Sequence, residues 1–309
     1  GTNYFTVQEA FAALAREGLI GSRPRTGTMV LRQRPIPTTV AVYFGGNITQ
    51  GNSFYYALNS TIFRELEQQG LEPRLFIDSR KEEECDTACP HLERAIARHE
   101  IHGVIGLMLT PQRVQWLNRL EVPSMHFASG DHPNRVTLDR KRLYRDGIDQ
   151  LKRRGCQRIA VLPHPSSLGG AYVDLFRLAS DVQEVELLGS EDYRILKNYE
   201  TQAEFAYVTF RERWKKGKVP DGLLIYPDVC AQGVISAILE LQIRVPEELK
   251  LVLHMNDEMS YHCPLKVDWI QTKVRSLASA MIGNLNSLMK GEEVAVLELP
   301  LEIVEGYPR

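Results

Sequence analysis

Short apolar runs alternate with longer amphipathic segments from residue 40 onward, and this alternation constrains the fold more than any other feature. Continuous apolar runs predict buried strands, and apolar residues spaced three or four apart predict helices. The predicted strands are Val40–Phe44, Leu75–Ile77, Val104–Leu109, Ser124–Phe127, Ile159–Leu162, Val185–Leu188, Leu223–Tyr226 and Leu251–Met255, and the predicted helices include Leu58–Leu66, Leu92–His99, Leu143–Leu151 and Ala231–Leu241. Elements in this order indicate an α/β fold with two parallel sheets, each covered on both faces. Ligands of such folds bind beyond the carboxyl ends of the strands, and here also between two lobes.

Length and composition exclude several classes of protein. The chain has 309 residues, of which 43% are hydrophobic and 25% charged, as expected of a globular protein with two or three folding units. Its longest apolar run is shorter than the roughly 20 residues of a membrane helix, and its first residues do not resemble a secretion signal. Five cysteines do not suggest a disulfide framework. We therefore expect a cytoplasmic protein with no membrane partner.

Charge is distributed unevenly along the chain. The net charge is −2, but residues 1–35 hold five arginines against two glutamates, which gives +3 and leaves −5 for the rest. Residues 6–20 have helical spacing, and the basic segment from Ser22 to Leu31 predicts a turn and a short strand. A helix followed by a basic hairpin is typical of the second half of a winged helix, which contacts DNA. An amphipathic helix beside a solvated loop would have the same spacing.

The amino-acid sequence of this segment resembles the recognition helix and wing of GntR-type regulators, at Thr6–Phe11, Glu17–Ile20 and Gly27–Val30. The resemblance implies DNA contacts from the following residues: Tyr4, Thr6, Gln8, Arg23, Arg25, Gly27 and Thr28. Tyr4 and Gln8 stand where the family often has arginine, so its DNA preference does not transfer. The two helices that precede this segment in the family are not in the sequence. We therefore expect the 309-residue chain alone to bind operator DNA weakly or not at all.

The rest of the chain resembles the lactose/galactose repressor (LacI/GalR) family. The resemblance rests on seven short sequence segments, which are, in order, Asn52–Tyr55, Val136–Asp139, Arg153–Ala160, Pro220–Gly222, Tyr226–Asp228, Arg244–Glu248 and His254–Asp257. The resemblance implies a two-lobed, periplasmic-binding-protein-like (type I) body of two parallel-sheet, Rossmann-like subdomains, preceded by part of a winged helix. It also implies a homodimeric bacterial transcriptional regulator, most simply a repressor. Its lobes would close on a small effector, most simply a sugar, and change its affinity for operator DNA.

The resemblance also implies domain boundaries. Residues 1–34 would form the winged-helix part and residues 35–39 a linker, because two prolines favour extended backbone. The first lobe would consist of residues 40–128 and 259–289, and the second lobe of residues 129–258 and 290–309. Three crossings between the lobes are expected, as follows: near Ala128–Gly130, near Asn256–Met259 and near Lys290–Glu293.

Ligands of the family are sugars or purines, held by aromatic rings and polar groups. Phe54 and Tyr55 stand where a stacking ring is expected, and one of the two is expected to be a core residue instead. Asn256 replaces an aspartate that accepts sugar hydroxyls, and an amide can both donate and accept. Asp228 is expected to cap a helix that starts near Ala231. The predicted effector-binding residues are Phe54, Tyr55, His126, Phe127, Ser166, Tyr172, Tyr199 and Asn256.

Three polar anchors of the family are replaced here by Ala128, Ala171 and Pro227, so the effectors of its relatives cannot simply be transferred. Signatures of catalysis are scarce, and we expect neither an enzyme nor a cofactor. Cys85, Cys89 and His91 could be metal ligands, but irregular spacing and an acidic run favour a solvated helix start. Two alternatives remain open: a sugar-binding protein of a transport system, which shares the fold, and an enzyme on the same two-lobed scaffold.

Overall fold

The computed structural model describes residues 4–16, 20–23, 27–30, 38–46, 53–78, 80, 88–128, 132–163, 185–189, 201–217, 219–258 and 263–306. The chain divides into two compact units, Gly1–Thr38 and Thr39–Arg309. Most of the predicted linker lies outside the described residues.

The first unit is a helix followed by a β-hairpin, as the sequence predicts. Helix α1 spans Tyr4–Arg16, and strands β1 (Ile20–Arg23) and β2 (Gly27–Val30) pair in antiparallel fashion. Gly27 lies opposite Arg23 in this ladder and has a φ of +82°. Glycine adopts this left-handed conformation without the steric cost of a Cβ atom, which suits the end of a short hairpin loop.

The described residues of the second unit form two six-stranded sheets, which confirms the predicted α/β class. Its strands are β3 (Thr39–Phe44), β4 (Glu72–Ile77), β5 (Gly103–Leu107), β6 (Ser124–Phe127), β7 (Arg135–Leu138), β8 (Ile159–Leu162), β9 (Val185–Leu187), β10 (Gly222–Ile225), β11 (Lys250–Asn256), β12 (Asp268–Thr272), β13 (Leu297–Leu299) and β14 (Glu302–Val304). Its helices are α2 (Ser53–Gln68), α3 (Pro90–Ala97), α4 (Pro111–Leu117), α5 (Arg140–Arg153), α6 (Gln202–Lys215), α7 (Asp228–Glu240) and α8 (Val274–Met289). The first sheet has the order β13-β7-β6-β5-β3-β4, and the second has the order β14-β12-β11-β10-β8-β9. All neighbouring strands are parallel except β12 and β14.

The first sheet is covered on both faces, as the apolar character of β3 requires. Val40, Val42 and Phe44 pack with α2 and α8 on one face. Ala41 and Tyr43 pack with α3 and α4 on the other face. Successive strand residues point to opposite faces, so a strand that is apolar throughout is stable only between two layers.

The second sheet lies between α5 on one face and α6 and α7 on the other. Helices α6 and α7 approach each other closely at Gly233, where a Cβ atom would lie 1.9 Å from the carbonyl oxygen of Ala203. No side chain larger than hydrogen fits there without moving one helix. This contact fixes α7 beside α6, and both helices pack on the same face of the second sheet.

Three crossings join the lobes in the described part of the chain, and each lies further along the chain than predicted. Strand β7 belongs to the first sheet, so the first crossing is Asp139, before α5. Strand β12 belongs to the second sheet, so the second crossing is Lys273, before α8. The third crossing consists of residues 300–301, between β13 and β14. Each time, a short strand pairs with the sheet of the lobe that the chain is leaving, and such pairing depends on distant partners.

Candidate functional site

Aromatic side chains gather at the carboxyl edge of the first sheet, where the sequence predicts a ligand. Phe54 and Tyr55 lie in the first turn of α2, and Phe127 ends β6. The ring centroid of Phe127 lies 5.5 Å from that of Phe54 and 6.3 Å from that of Tyr55. Phe44, which ends β3, lies 6.3 Å from Tyr55 in an edge-to-face arrangement that aromatic pairs prefer. The structure therefore brings three of the predicted effector-binding residues together.

The pKa of Tyr55 depends on residues of the second lobe. Burial, and then the nearby Tyr226 phenol, raises the pKa of Tyr55 to about 12, and the Arg140 guanidinium acts in the opposite direction. Tyr226 follows β10 and Arg140 begins α5, so both belong to the second lobe. The Tyr55 hydroxyl therefore stays protonated at neutral pH and can donate or accept a hydrogen bond near both lobes.

Asn256 ends β11 at the carboxyl edge of the second sheet, and only 1% of it is exposed. Its Nδ2 donates to Oδ2 of Asp228 at 2.9 Å. In this bond the amide nitrogen of Asn256 donates and the carboxyl oxygen of Asp228 accepts. The Oδ1 atom of Asn256 has no hydrogen-bond partner among the described residues. Such a buried oxygen costs roughly 1–3 kcal/mol, so it is the strongest candidate on this edge for contact with a ligand hydroxyl or N–H group.

Asp228 differs from its prediction, because α7 begins at Asp228 itself rather than near Ala231. Its side chain is buried and accepts hydrogen bonds from the Val229 N–H group and from Asn256. Burial raises the pKa of Asp228, and these hydrogen bonds act in the opposite direction. The carboxyl group therefore acts as a buried acceptor in the first turn of a helix, where the helix dipole favours negative charge.

Two further buried polar residues, His254 and Thr272, were missed by the sequence reasoning. Nδ1 of His254 accepts the backbone N–H group of Asp228 at 3.3 Å, and Nε2 lies 2.8 Å from Oγ1 of Thr272. Since Nδ1 accepts, the neutral ring carries its proton on Nε2 and donates it to Thr272. Burial lowers the pKa of His254 to about 3, which keeps the ring neutral. The spacing of residues 254 and 256 could have placed His254 beside Asn256, because alternate residues of a strand face the same side.

His126 does not belong with Phe127 in a ligand site, contrary to the prediction. It is fully buried, with Nε2 at 2.8 Å from Oδ1 of Asn118 and 3.3 Å from Oγ of Ser124. Burial, followed by the effect of His132, lowers the pKa of His126 to about 4. Successive residues of a strand face opposite sides, so His126 and Phe127 cannot both point toward one ligand.

The remaining predicted effector-binding residues are Ser166, Tyr172 and Tyr199, and they lie outside the described residues, as does Ala171. Ala128 follows β6, and Pro227 precedes α7, so both do lie at carboxyl edges of the sheets. Both side chains are apolar, whereas the resemblance to the LacI/GalR family implies polar groups at these two positions. Asn256 therefore provides the unpartnered polar oxygen of this edge in the part of the chain that the structure describes.

The predicted DNA-binding residues fall on the helix and hairpin of the first unit. Tyr4, Thr6 and Gln8 lie on α1, Arg23 ends β1, and Gly27 and Thr28 begin β2, whereas Arg25 lies outside the described residues. Thr6, Gln8 and Thr28 are exposed. The apolar side of α1 is also exposed, at 41% for Val7, 46% for Phe11 and 37% for Leu14.

The described residues contain no group of three or more His, Cys, Asp or Glu side chains placed to hold a metal ion. Cys85, one of the three candidate ligands, lies outside them. Among the described helices, none combines the length and the apolar character that crossing a bilayer requires.

A family model described as a periplasmic binding protein-like domain matches residues 148–306. The chain belongs to this family. The match covers just over half of the chain and includes β8 to β14, and thus Asn256, Asp228, His254 and Thr272. The sequence matches no curated protein.

Solved structures with the same fold include several repressors. A dimeric Lac repressor is 20% identical, with a TM-score of 0.70 over 87% of this chain and 97% of that chain. A LacI family transcriptional regulator from Arthrobacter sp. FB24, in complex with lactose, is 18% identical, with a TM-score of 0.66 over 88% and 98%. The transcriptional regulator CelR, in complex with cellobiose, is 16% identical, with a TM-score of 0.67 over 99% and 91%. These likenesses confirm the two-lobed type I fold of this periplasmic binding protein-like chain.

Proposed function

We propose that the protein is a transcriptional regulator of the LacI/GalR type, most simply a repressor. Its two lobes bind a small carbohydrate, close on it and change the affinity of the protein for operator DNA. The observation that carries the proposal is the buried, unpartnered Oδ1 atom of Asn256 at the carboxyl edge of the second sheet. A sugar offers hydroxyl donors for this oxygen and C–H faces for the rings of Phe54, Tyr55 and Phe127. Two relatives with this fold bind lactose and cellobiose, which are ligands of this kind.

We also propose that the first unit is part of a GntR-type winged helix. A helix followed by an antiparallel hairpin supports this proposal, because these are the recognition helix and wing of such a domain. The exposed apolar stripe Val7, Phe11 and Leu14 supports it as well, since a recognition helix packs on the rest of its domain through such a stripe. The proposed DNA contacts are Tyr4, Thr6, Gln8, Arg23, Arg25, Gly27 and Thr28.

A homodimer acting in the cytoplasm completes the proposal. Strand β4 is an edge strand of the first sheet and exposes Leu75 and Ile77, an apolar pair on which a second copy could pack. Operators with two-fold symmetry suit such a dimer. We propose residues 1–34 as the DNA-binding part, residues 35–39 as the linker and the two lobes from residue 40 onward, exchanging at the three crossings. Neither catalysis nor a cofactor forms part of this proposal.

A thermal-shift screen tests the effector. Pentoses, hexoses, lactose, cellobiose, sugar phosphates, uronates and purines are compared at equal concentration. A ligand present at about 100 times its Kd stabilises by about 2.7 kcal/mol, which corresponds to an increase of about 5 °C or more in Tm for a unit of this size. Because Asn256 accepts a hydrogen bond from the ligand, Asn256→Ala should weaken binding of the best sugar about tenfold.

The control for this variant is Asn286→Ala, which removes an amide that donates to Gln69 on the outside of the first lobe. The ligand-induced shift in Tm is compared within each variant, since Asn256→Ala also removes the bond to Asp228. Stabilisation by no sugar in the panel would contradict the carbohydrate proposal, and stabilisation by purines alone would replace it.

DNA binding is tested on the full-length protein by selecting sequences from a random pool of double-stranded DNA. The selected sequences should have two-fold symmetry, and their affinity should fall with salt concentration. The slope of log affinity against log salt concentration reports the number of phosphate contacts. Replacing Arg23 and Arg25 by alanine should lower that number by about two. Salt-independent binding, or equal binding by the double variant, would contradict the proposed wing.

A further inference from the structure

Four buried polar residues are linked by hydrogen bonds into a chain beside the candidate site, and the link through Asp228 uses both its carboxylate and its backbone N–H group. Asn256 donates to Asp228, the backbone N–H group of Asp228 donates to His254, and His254 donates to Oγ1 of Thr272. These four residues are between 1% and 5% exposed. At that degree of burial, water cannot replace a broken link, so each group depends on its protein partner.

The far end of this chain reaches the second crossing between the lobes. Thr272 is the last residue of β12 and lies beside Asn256 in the parallel ladder. Its backbone carbonyl accepts the N–H group of Asp257 at 3.0 Å, and Oδ1 of Asp257 accepts the N–H group of Val274 at 2.8 Å. Lys273, the crossing itself, is therefore held on both sides by groups that adjoin the hydrogen-bonded chain.

The imidazole of His254 links the two ends through one rigid group. Its acceptor nitrogen faces the first turn of α7, and its donor nitrogen faces the end of β12. The ring also packs edge-on against Tyr226, with centroids 4.8 Å apart, which restricts its rotation. A displacement of Asp228 must therefore move the ring or break one of its two hydrogen bonds.

We propose that His254 is a positioning residue that couples the Asn256 carbonyl to the second crossing through Asp228 and Thr272. The coupling rests on the proposed effector site, because a ligand that binds Oδ1 of Asn256 acts on the amide whose Nδ2 holds Asp228. Ligand binding at one end of the hydrogen-bonded chain and the geometry of Lys273 at the other then depend on each other.

The first test is the protonation state of His254 in the ligand-free protein. Nitrogen-15 NMR of the imidazoles at neutral pH, assigned with His254→Phe, should show a neutral ring that is protonated on Nε2. This tautomer is required for the donor bond to Thr272 and the acceptor bond to Asp228. A charged ring, or a ring protonated on Nδ1, would overturn the proposal.

The second test is hydrogen exchange in the ligand-free protein. His254→Phe keeps the aromatic packing but removes both hydrogen bonds, and Thr272→Val removes the hydroxyl with little change of shape. Each should accelerate exchange of the Val274 amide and of the Asn256 side-chain amide about fivefold, which is the effect of one hydrogen bond of about 1 kcal/mol. The double variant should exchange no faster than either single variant, because both break the same chain.

Thr39→Val is the matched control, since Thr39 is a buried threonine that begins β3, at the amino edge of the first sheet. It should leave both amides unchanged. His254→Gln can still donate toward Thr272 and should restore part of the protection of Val274. Additive effects in the double variant, or an Asn256 amide that does not respond to Thr272→Val, would show a merely local role and refute the coupling.

Lactose and cellobiose serve as probes for the ligand-bound protein. A sugar that binds should slow exchange of the Val274 amide in the wild type but not in His254→Phe, although the variant still binds it. Equal protection in both proteins would refute the coupling. If neither sugar binds the wild type, the choice of these sugars fails, and the two ligand-free tests still decide the role of His254.

Discussion

Burial of His126 should make the stability of the first lobe depend on pH between neutrality and mild acid. The ordinary pKa of histidine is 6.5, and burial lowers that of His126 to about 4. Between these two pKa values the unfolded chain binds a proton at this residue and the folded chain does not. The free energy of unfolding therefore falls as the pH is lowered through this window. It is regained when the pH is raised above the ordinary pKa of histidine.

The magnitude follows from these two pKa values. Going from about pH 7 to about pH 5, proton binding by the unfolded state lowers the free energy of unfolding by about 2 kcal/mol for this one histidine. His254, with a pKa of about 3, should contribute a similar loss from the second lobe. Carboxyl groups with a lowered pKa change the free energy of unfolding only in more acid solution, as Asp78 does with a pKa of about 2.

The assay is urea unfolding at both pH values, followed by tryptophan fluorescence and circular dichroism. His126→Gln keeps an amide donor for Asn118 and removes the titrating ring, so its loss of stability on acidification should be about 2 kcal/mol smaller than that of the wild type. Other titrating groups cancel in this comparison. His91→Gln, at an exposed position on α3, is the control and should behave as the wild type. An unchanged pH dependence in His126→Gln would refute the reasoning.

Two further predictions concern stability at neutral pH. Gly233→Ala should destabilise the protein by about 3 kcal/mol, because its Cβ would overlap the α6 backbone. The control, Gly283→Ala on α8, has open space around it and should stabilise the protein by up to about 1 kcal/mol. Equal effects of the two substitutions in urea unfolding would contradict the close helix contact. Arg154→Ala should cost about 2 kcal/mol, because it removes two hydrogen bonds at 2.7 and 2.8 Å from buried Asp268. Arg142→Ala breaks an exposed pair and should cost less than about 0.5 kcal/mol, so an equal cost for both variants would show that burial of Asp268 is irrelevant.

Local patterns in the sequence were sufficient for most of the fold. The strand at Val40–Phe44 follows from an apolar run, and helix α2 follows from its spacing and from Gly70, which has a φ of +75°. For the candidate site, positions near strand ends predict Phe54, Tyr55 and Phe127, and the structure brings their rings close to one another.

What could not be predicted depends on partners that are distant in sequence. Strand β12 contains Asp268 and Gln271, so its hydrophobic pattern is weak, and its place in the second sheet depends on pairing with β11. Position near a strand end is not sufficient to place His126, because successive residues of a strand face opposite sides and its ring is buried beside Asn118. The role of His254 depends on Asp228 and Thr272, which its own neighbourhood in the sequence does not contain.

The shortness of the crossings has a mechanical consequence. Asp139 and Lys273 each join a strand of one lobe directly to a helix of the other, and the third crossing has only residues 300 and 301. Each residue has two soft backbone dihedral angles, and Pro300 has one, because its ring fixes φ. Three such short links acting in parallel leave almost no freedom to slide and little freedom to twist. Any movement between the lobes therefore has to be absorbed by these few dihedral angles, so small changes in them set the position of a whole lobe.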